Sequence, residues 1–289
     1  MANNAKAWLA AAALLGAAWQ ASAAPAAVVE GVQMPAWVDR GGRSYPLAPG
    51  MELRSGDQLR TGAESRVLLR FGEGSAVKLG ENAALRIVEL APSDNVFRSA
   101  MRVLQGAFRF TTAVVAKQRR RDVQVGIATV TLGIRGTDVW GRARDERQIV
   151  CLIEGSVEVG APGEAPVTLD QPRQFYRRDQ GQAQPVGFVE PQQLAEWARE
   201  TEIEPGKGAA QSRGRWRVQL LSTPDMRKAL ALSEQLREAG YASRVIPDKD
   251  RETRLYRVRI QGLATKADAE ALAARLRDQP GVSKPTVFR

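Results

Sequence analysis

Hydrophobic and polar positions repeat with a step of 40 in the last 74 residues of the chain. The segments Trp216–Leu220 and Tyr256–Ile260 match position by position: each has an aromatic residue, then Arg, Val, a polar residue and an aliphatic residue. In each half, this alternation predicts a strand, Ala and Leu near the 3.6-residue period predict a helix, and a glycine then precedes a second β-like segment. Those second segments are Tyr241–Ile246 and Val282–Phe288. One unit used twice predicts a βαββαβ domain, a four-stranded antiparallel sheet with two helices on one face.

The same alternation predicts which side chains of this sheet face the helices. The inward positions are Val218, Leu220, Tyr256, Val258 and Ile260. The opposite face is predicted to be open, and its side chains are Arg217, Gln219, Leu255, Arg257 and Arg259. Residues 213–289 hold 17 Lys/Arg against nine Asp/Glu, a balance of +8 where the whole chain has +10. An uncovered and basic sheet face indicates a ligand-binding platform.

The region 28–189 has the pattern of an all-β domain. Val67, Leu69 and Phe71 alternate with more polar positions, a turn with two glycines follows, and the alternation then resumes, which predicts a hairpin. Further short strands are predicted at Leu85–Val88, Ala107–Thr111, Val123–Val125, Thr129–Leu132, Thr137–Trp140, Ile149–Ile153 and Val157–Val159. Many short strands are typical of a sandwich, a jelly roll or a coiled barrel-like domain, and the pattern leaves these three open.

Two short segments separate the predicted domains. Residues 190–203 have a helical pattern, with Leu194 and Trp197 three positions apart, and should pack on the β domain. Residues 204–213 are rich in glycine and poor in bulky side chains, which predicts a flexible linker. The second domain then spans 214–289, and the two domains are expected to move independently.

The first 23 residues are predicted to be an export signal. Lys6 precedes an apolar run of thirteen residues, and Ala21-Ser22-Ala23 is a small-residue cleavage site. The run is shorter than the ~20 residues that span a bilayer comfortably, and an uncleaved anchor is the alternative. No later segment is apolar enough to span a membrane, so the mature protein is expected in the periplasm.

The composition argues against an enzyme. The chain contains no histidine, which excludes Ser-His-Asp triads and imidazole metal sites. Its single cysteine, Cys151, lies in an apolar run and is predicted to be a buried core residue without a disulfide. Glycan cleavage by paired carboxylates is the enzymatic alternative, but no such pair stands out. We therefore expect no catalytic residues, no metal and no cofactor.

The repeat resembles the sporulation-related repeat, the SPOR domain. The resemblance rests on the aromatic-Arg-Val-Gln opening, the Ala and Leu helix, the second Tyr-Arg-Val strand and Gly262 after it. It implies binding to peptidoglycan glycan strands from which amidases have removed the stem peptides, at division septa. Gln219, Ser222 and Arg257 match family binding positions, and Arg217, Leu255 and Arg259 complete the candidate site. The chain departs from the family pattern in having Leu221-Ser222-Thr223 for Gly-Ser-Phe and Leu255 for Trp.

Residues 30–160 resemble the FecR-type domain. Four segments carry the resemblance. They are residues 50–62, which contain Gly56-Asp57, and residues 65–75, 131–137 and 152–157. The resemblance implies a β domain that holds a protein partner, and an exported regulatory scaffold of FecR type is the alternative function. Arg135 is either a surface contact or a brace of its turn, and Lys117–Arg121 either binds an acidic surface or is a solvated loop.

A nucleic-acid ligand is the remaining alternative for the open face. RNA-recognition modules share the βαββαβ layout and stack bases on aromatic side chains of the sheet. In this chain Trp216 and Tyr256 fall on positions that face the helices, so the open face lacks their rings for stacking. Export also argues against a nucleic-acid ligand. If the two repeat halves pair, Arg217 and Arg257 occupy neighbouring outward positions. The hypothesis is that an arginine binds the lactyl carboxylate of denuded glycan and that Gln219 binds the sugar acetamido group.

Overall fold

A computed structural model describes residues 25–92, 96–112, 120–134, 136–250 and 253–289. It is mostly β, with 52% strand and 13% helix, and the fold-class prediction is confirmed. The predicted export signal, Arg135 and residues 117–119 lie outside the described residues. Within the described ranges, none of the helices has the length and apolar character needed to cross a membrane.

The first domain contains seventeen strands and one helix. In chain order they are β1 (Ala27–Gln33), β2 (Ala36–Arg40), β3 (Arg43–Pro46), β4 (Gln58–Thr61), β5 (Arg66–Phe71), β6 (Ala76–Leu79), β7 (Ala84–Pro92), β8 (Val96–Thr111), β9 (Arg120–Ile127), β10 (Val130–Ile134), β11 (Asp138–Arg144), β12 (Arg147–Glu154), β13 (Val157–Gly160), β14 (Val167–Leu169), β15 (Gln174–Asp179), β16 (Gln182–Ala183), β17 (Gly187–Phe188) and α1 (Pro191–Arg199). The predicted hairpin is confirmed, since β5 and β6 pair around the glycine turn.

Strand β8 joins the two sheets of this domain. Its first half pairs with β7 and β9, and its second half pairs with β6 and β11. Gly106 lies between the halves with φ +86°, and an added Cβ would come within 2.5 Å of Ala83, so only glycine fits there. Side chains from both sheets form one buried core. This is packing of the sandwich type.

Helix α1 covers a smaller cluster at the edge of the first domain. Trp197 of α1 stacks on the buried Trp140, with ring centroids 4.8 Å apart and an interplanar angle of 11°. Cys151 lies in the same cluster and is fully buried, as predicted. Helix α1, Pro191–Arg199, lies within the predicted helical segment 190–203 and is shorter than it.

The second domain follows the order β19 (Trp216–Thr223), α2 (Met226–Glu238), β20 (Ser243–Asp250), β21 (Thr253–Leu263), α3 (Lys266–Leu276) and β22 (Thr286–Phe288). Its strands pair antiparallel in the order β22, β19, β21, β20. The side chains predicted to face inward pack against α2 and α3: Val218, Leu220, Val258 and Ile260 are buried, and Tyr256 is partly buried. Both helices therefore cover one face of the sheet.

The segment predicted to be a flexible linker instead forms part of the junction between the domains. Strand β18 (Ala209–Gln211) pairs with β1 and, through Ala210, with β21. The buried Asp268 of α3 accepts hydrogen bonds from the main-chain N–H groups of Gly206, Gly208 and Ala209 at 2.9–3.2 Å. The prediction of a flexible segment was wrong because these small residues fit a closely packed junction.

Direct contacts also hold the two domains together. Trp37 donates its indole N–H to the carbonyl oxygen of Glu238 at 2.8 Å, and Arg275 donates to the carbonyl oxygen of Met34 at 2.8 Å. Gly240 lies so close to the Trp37 ring that an added Cβ would approach it to 2.6 Å. The domains therefore pack as one unit, and the expectation of independent movement is corrected. The domain boundaries themselves remain predictions.

Candidate functional site

The six predicted site residues share the sheet face opposite α2 and α3. We call this surface the outer face, and its members are Arg217, Gln219, Ser222, Leu255, Arg257, Arg259 and Phe288. Of these only Ser222 is exposed, and the others are half-buried. Successive side chains of a strand point to opposite faces of the sheet. The members on β19 and β21 point outward because their neighbours in each strand point into the core.

A β-bulge in β19 determines which residues of the outer face meet. The pairing with β21 shifts between Gln219 and Leu221. Leu220 is fully buried and Leu221 packs partly buried on the same core, so both point inward. Ser222 therefore returns to the outer face, opposite Arg257.

The register contradicts the predicted pairing of two arginines. Arg217 lies opposite Gln261, whereas Arg257 lies opposite Ser222, so Arg217 and Arg257 are not neighbours. The prediction was wrong because it assumed that equivalent positions of the two repeat halves pair. Antiparallel strands run in opposite directions, and equivalent positions therefore diverge along them.

Arginine and aromatic side chains form a cluster at one end of the outer face. The guanidinium carbons of Arg217 and Arg259 lie 5.2 Å and 4.7 Å from the centre of the Phe288 ring. Arg259 also donates two hydrogen bonds to the Gln219 side-chain oxygen, at 3.1 Å and 3.0 Å. Because that oxygen is occupied, the amide N–H₂ group of Gln219 is directed to donate to a ligand.

Positive charge accumulates in the middle of the outer face. Partial burial, followed by the charge of Arg257, lowers the pKa of Arg259 from its ordinary value, and Asp248 opposes the shift. Arg257 forms an ion pair with Asp248 at 3.0 Å, next to Leu255, which pairs with Asp248 across the strands. An anionic ligand would relieve the repulsion between the guanidinium groups.

Sequence reasoning missed Phe288 as a member of the outer face. The segment Val282–Phe288 was predicted to be β-like, but its faces were not assigned. Val287 packs on the core, so the next residue, Phe288, points to the outer face. In the pairing of β22 with β19, Phe288 lies opposite Arg217. The alternation within Thr286–Phe288 was the available signal. The outer face thus has an aromatic side chain in addition to its arginines.

The described residues contain no group of three or more His, Cys, Asp or Glu side chains that could hold a metal ion. The polar and aromatic side chains of the outer face supply guanidinium, amide, hydroxyl and phenyl groups. Such groups bind anions and sugars by charge-assisted and neutral hydrogen bonds.

Two family models match the chain. The SPOR domain model matches residues 212–288, and the FecR protein model matches residues 57–158. The chain thus has a FecR-type domain followed by a SPOR domain, as predicted from the motifs. The SPOR match supports peptidoglycan binding, the FecR match supports a signalling-type domain, and both families are typical of cell-envelope proteins.

No curated protein matches the chain significantly. Among solved structures, two crystal structures from Parabacteroides distasonis, provisionally described as an anti-sigma factor, are similar to it. One has 14% identity and a TM-score of 0.41, and the similarity covers 69% of this chain and 98% of the other. The second has 15% identity and a TM-score of 0.40, with 78% and 92% covered. At these TM-scores neither similarity establishes a shared fold.

Proposed function

We propose that this protein, with its FecR-type domain followed by a SPOR domain, is a non-enzymatic periplasmic protein that binds denuded glycan strands of septal peptidoglycan. The observation that carries this proposal is the SPOR match over residues 212–288, in which the outer face is basic and uncovered by the helices. The FecR-type domain is proposed to hold a protein partner. Neither role requires a cofactor or a catalytic group.

The chemistry of the outer face suits denuded glycan better than intact wall. Removal of a stem peptide leaves the lactyl group of muramic acid as a free carboxylate, where intact wall has an amide. Guanidinium groups bind carboxylates by two parallel charge-assisted hydrogen bonds, and Arg257 and Arg259 present two such groups. The free N–H₂ of Gln219 can donate to the acetamido carbonyl of a neighbouring sugar. Recognition would thus combine charge with hydrogen bonding.

Binding to purified sacculi tests this proposal. The full-length mature protein should bind sacculi treated with amidase more tightly than untreated sacculi. Arg257→Ala should weaken that binding by ~1.5–3 kcal/mol, the range for a hydrogen bond to a charged group. Gln219→Ala should weaken it by a smaller amount, because its hydrogen bond is to a neutral group.

The matched control is Arg227→Ala, which removes an exposed arginine from α2 on the opposite side of the sheet. This variant should bind as the parent does. If Arg257→Ala and Gln219→Ala also bind like the parent, the outer face is not the glycan site.

A second candidate function is that of an exported regulatory scaffold of FecR type, which the FecR match favours. Cells that lack the protein can be complemented with the parent or with Arg257→Ala, and their transcripts compared. Equal restoration of altered transcripts by both would support a signalling role that does not depend on glycan binding. Restoration by the parent alone would favour glycan binding as the primary function.

A further inference from the structure

A cleft of about 550 Å³ lies where the two domains meet. The first domain contributes Ala48 and Pro49 to its lining, and the second domain contributes Arg215, Arg217, Arg244 and Gln261. The cleft is therefore a feature of the assembled pair of domains.

The cleft carries positive charge without acidic side chains. None of the described residues that line it is Asp or Glu. Arg215 and Arg244 are both exposed, and neither has an ion-pair partner among the residues that the structure describes. Arg217 donates to a main-chain oxygen of Arg289 at 2.9 Å, so the charges left for a ligand in the cleft are those of Arg215 and Arg244. A concave site with two guanidinium groups that lack acidic partners attracts anions.

The cleft continues the outer face. Arg244 on β20 pairs with Arg259 on β21, and Gln261 follows two residues later on β21. Gln261 lies four residues from Arg257 along this strand, a distance of roughly 13 Å at ~3.3 Å per residue. A strand of sugars that runs along β21 from Arg257 would therefore enter the cleft.

We infer that the interdomain cleft is a second subsite for the same ligand, which binds a further carboxylate of the denuded glycan against a wall formed by the FecR-type domain. This inference rests on the proposed function. A denuded strand carries a carboxylate on every muramic acid, so one strand can present one carboxylate to the outer face and another to the cleft. Two linked contacts favour strands with consecutive denuded units over strands with a single one.

The packing of the domains keeps this subsite in shape before the ligand arrives. The pairing of β18 with β1 and the contacts of Trp37 and Arg275 described above fix the first domain beside the SPOR sheet. A preformed cleft avoids the entropy cost of ordering a wall on binding. The FecR-type domain thus takes part in glycan selection and does more than hold a partner.

The first test removes the two unpaired charges from the full-length protein. The double variant Arg215→Gln/Arg244→Gln should bind amidase-treated sacculi about tenfold more weakly, which corresponds to ~1.4 kcal/mol. The matched control is Arg213→Gln/Arg227→Gln, which removes two exposed arginines that do not line the cleft. The control should bind within twofold of the parent.

The second test changes the wall contributed by the first domain. Ala48→Glu places a carboxylate in the cleft without altering the SPOR domain, and it should weaken binding several-fold by repulsion. Ala165→Glu makes the same substitution at an exposed position away from the cleft, and its binding should match the parent. Thermal unfolding of each variant verifies that the protein remains folded.

The outcomes separate this inference from the proposed function. If the cleft variants bind like the parent while Arg257→Ala binds weakly, the subsite is overturned and glycan binding by the outer face stands. If the parent itself shows no preference for amidase-treated sacculi, the proposed function fails, and the inference fails with it. Equal losses in the cleft variants and their controls would indicate a general charge effect and overturn the subsite.

Discussion

Arginine has different partners in the two domains. In the first domain, Arg40 forms two hydrogen bonds with the buried Asp57, at 2.7 Å and 2.6 Å, and Arg109 forms two with Asp138, at 2.8 Å and 2.7 Å. In the second domain, Arg257 forms an ion pair with Asp248, whereas Arg259 donates to the neutral side chain of Gln219. The first domain uses arginine to hold its own strands, whereas the second leaves arginine for a ligand.

Sheet packing explains this difference. The first domain encloses a core between two sheets, and its Arg40–Asp57 and Arg109–Asp138 pairs join neighbouring segments of those sheets. The second domain covers one face of its sheet with helices and leaves the other face uncovered. Mutations in the first domain should therefore change stability, and mutations on the outer face should change binding.

The largest effect is expected for the reactivity of Cys151 in the closed core. Burial raises the pKa of this thiol to about 12 from 9.0, and the thiolate is the reactive species. Alkylation of the native protein at neutral pH should be about a thousandfold slower than alkylation in denaturant, because each pKa unit reduces the thiolate fraction tenfold. Mass spectrometry after timed labelling measures both rates. Comparable rates would show that the first domain is not closed around this residue.

The next largest effect is expected for Asp57, whose side chain is 2% exposed. Asp57→Ala removes the carboxylate that accepts two hydrogen bonds from Arg40 and one from the N–H of Arg54, and should lower the free energy of unfolding by ~3–5 kcal/mol. Asp39→Ala is the matched control, since it breaks a more solvent-exposed pair with Arg60, whose side chains are 42% and 34% exposed, worth about 1 kcal/mol. Urea denaturation measures both. Similar losses for the two variants would contradict the structural role of the Asp57 pair.

The third prediction concerns the contribution of Asp268 to the stability of the junction between the domains. Asp268→Ala removes three hydrogen bonds to residues 206–209 and the Asp268 half of the capping box at the start of α3, so it should destabilise the protein by ~2–3 kcal/mol. Asp225→Ala removes only the cap of α2 and should cost about 1 kcal/mol. The difference between the two, measured by denaturation, is the contribution of the junction. Equal losses would mean that the junction contributes nothing.

The smallest effect is expected for Phe288 on the outer face. Phe288→Leu keeps an apolar side chain but removes the ring that Arg217 and Arg259 contact, so binding to amidase-treated sacculi should weaken by ~0.5–1 kcal/mol. Phe188→Leu makes the same change at an exposed position of the first domain and should leave binding unchanged. Unfolding free energies should be similar for both. Tighter or unchanged binding of Phe288→Leu would exclude the ring from the site.

The sequence by itself determined the two domain types and the buried face of the second sheet. Alternation in Val218–Leu220 and Val258–Ile260 is a local property, because successive side chains of a strand point to opposite faces. Turn glycines near Gly72 and the 3.6-residue period of α2 are local in the same sense. Each such signal needs only a few consecutive residues to be visible.

The tertiary structure alone decided which outer-face residues meet and what the interdomain segment does. The bulge at Leu220 and Leu221 brings Ser222 opposite Arg257, and antiparallel register separates Arg257 from Arg217. The glycine-rich segment becomes a strand because β1 supplies its partner and Asp268 accepts its N–H groups. Register and pairing depend on residues distant in the chain, and a shift of one residue exchanges the two faces of a strand. Local composition therefore carries no information about them.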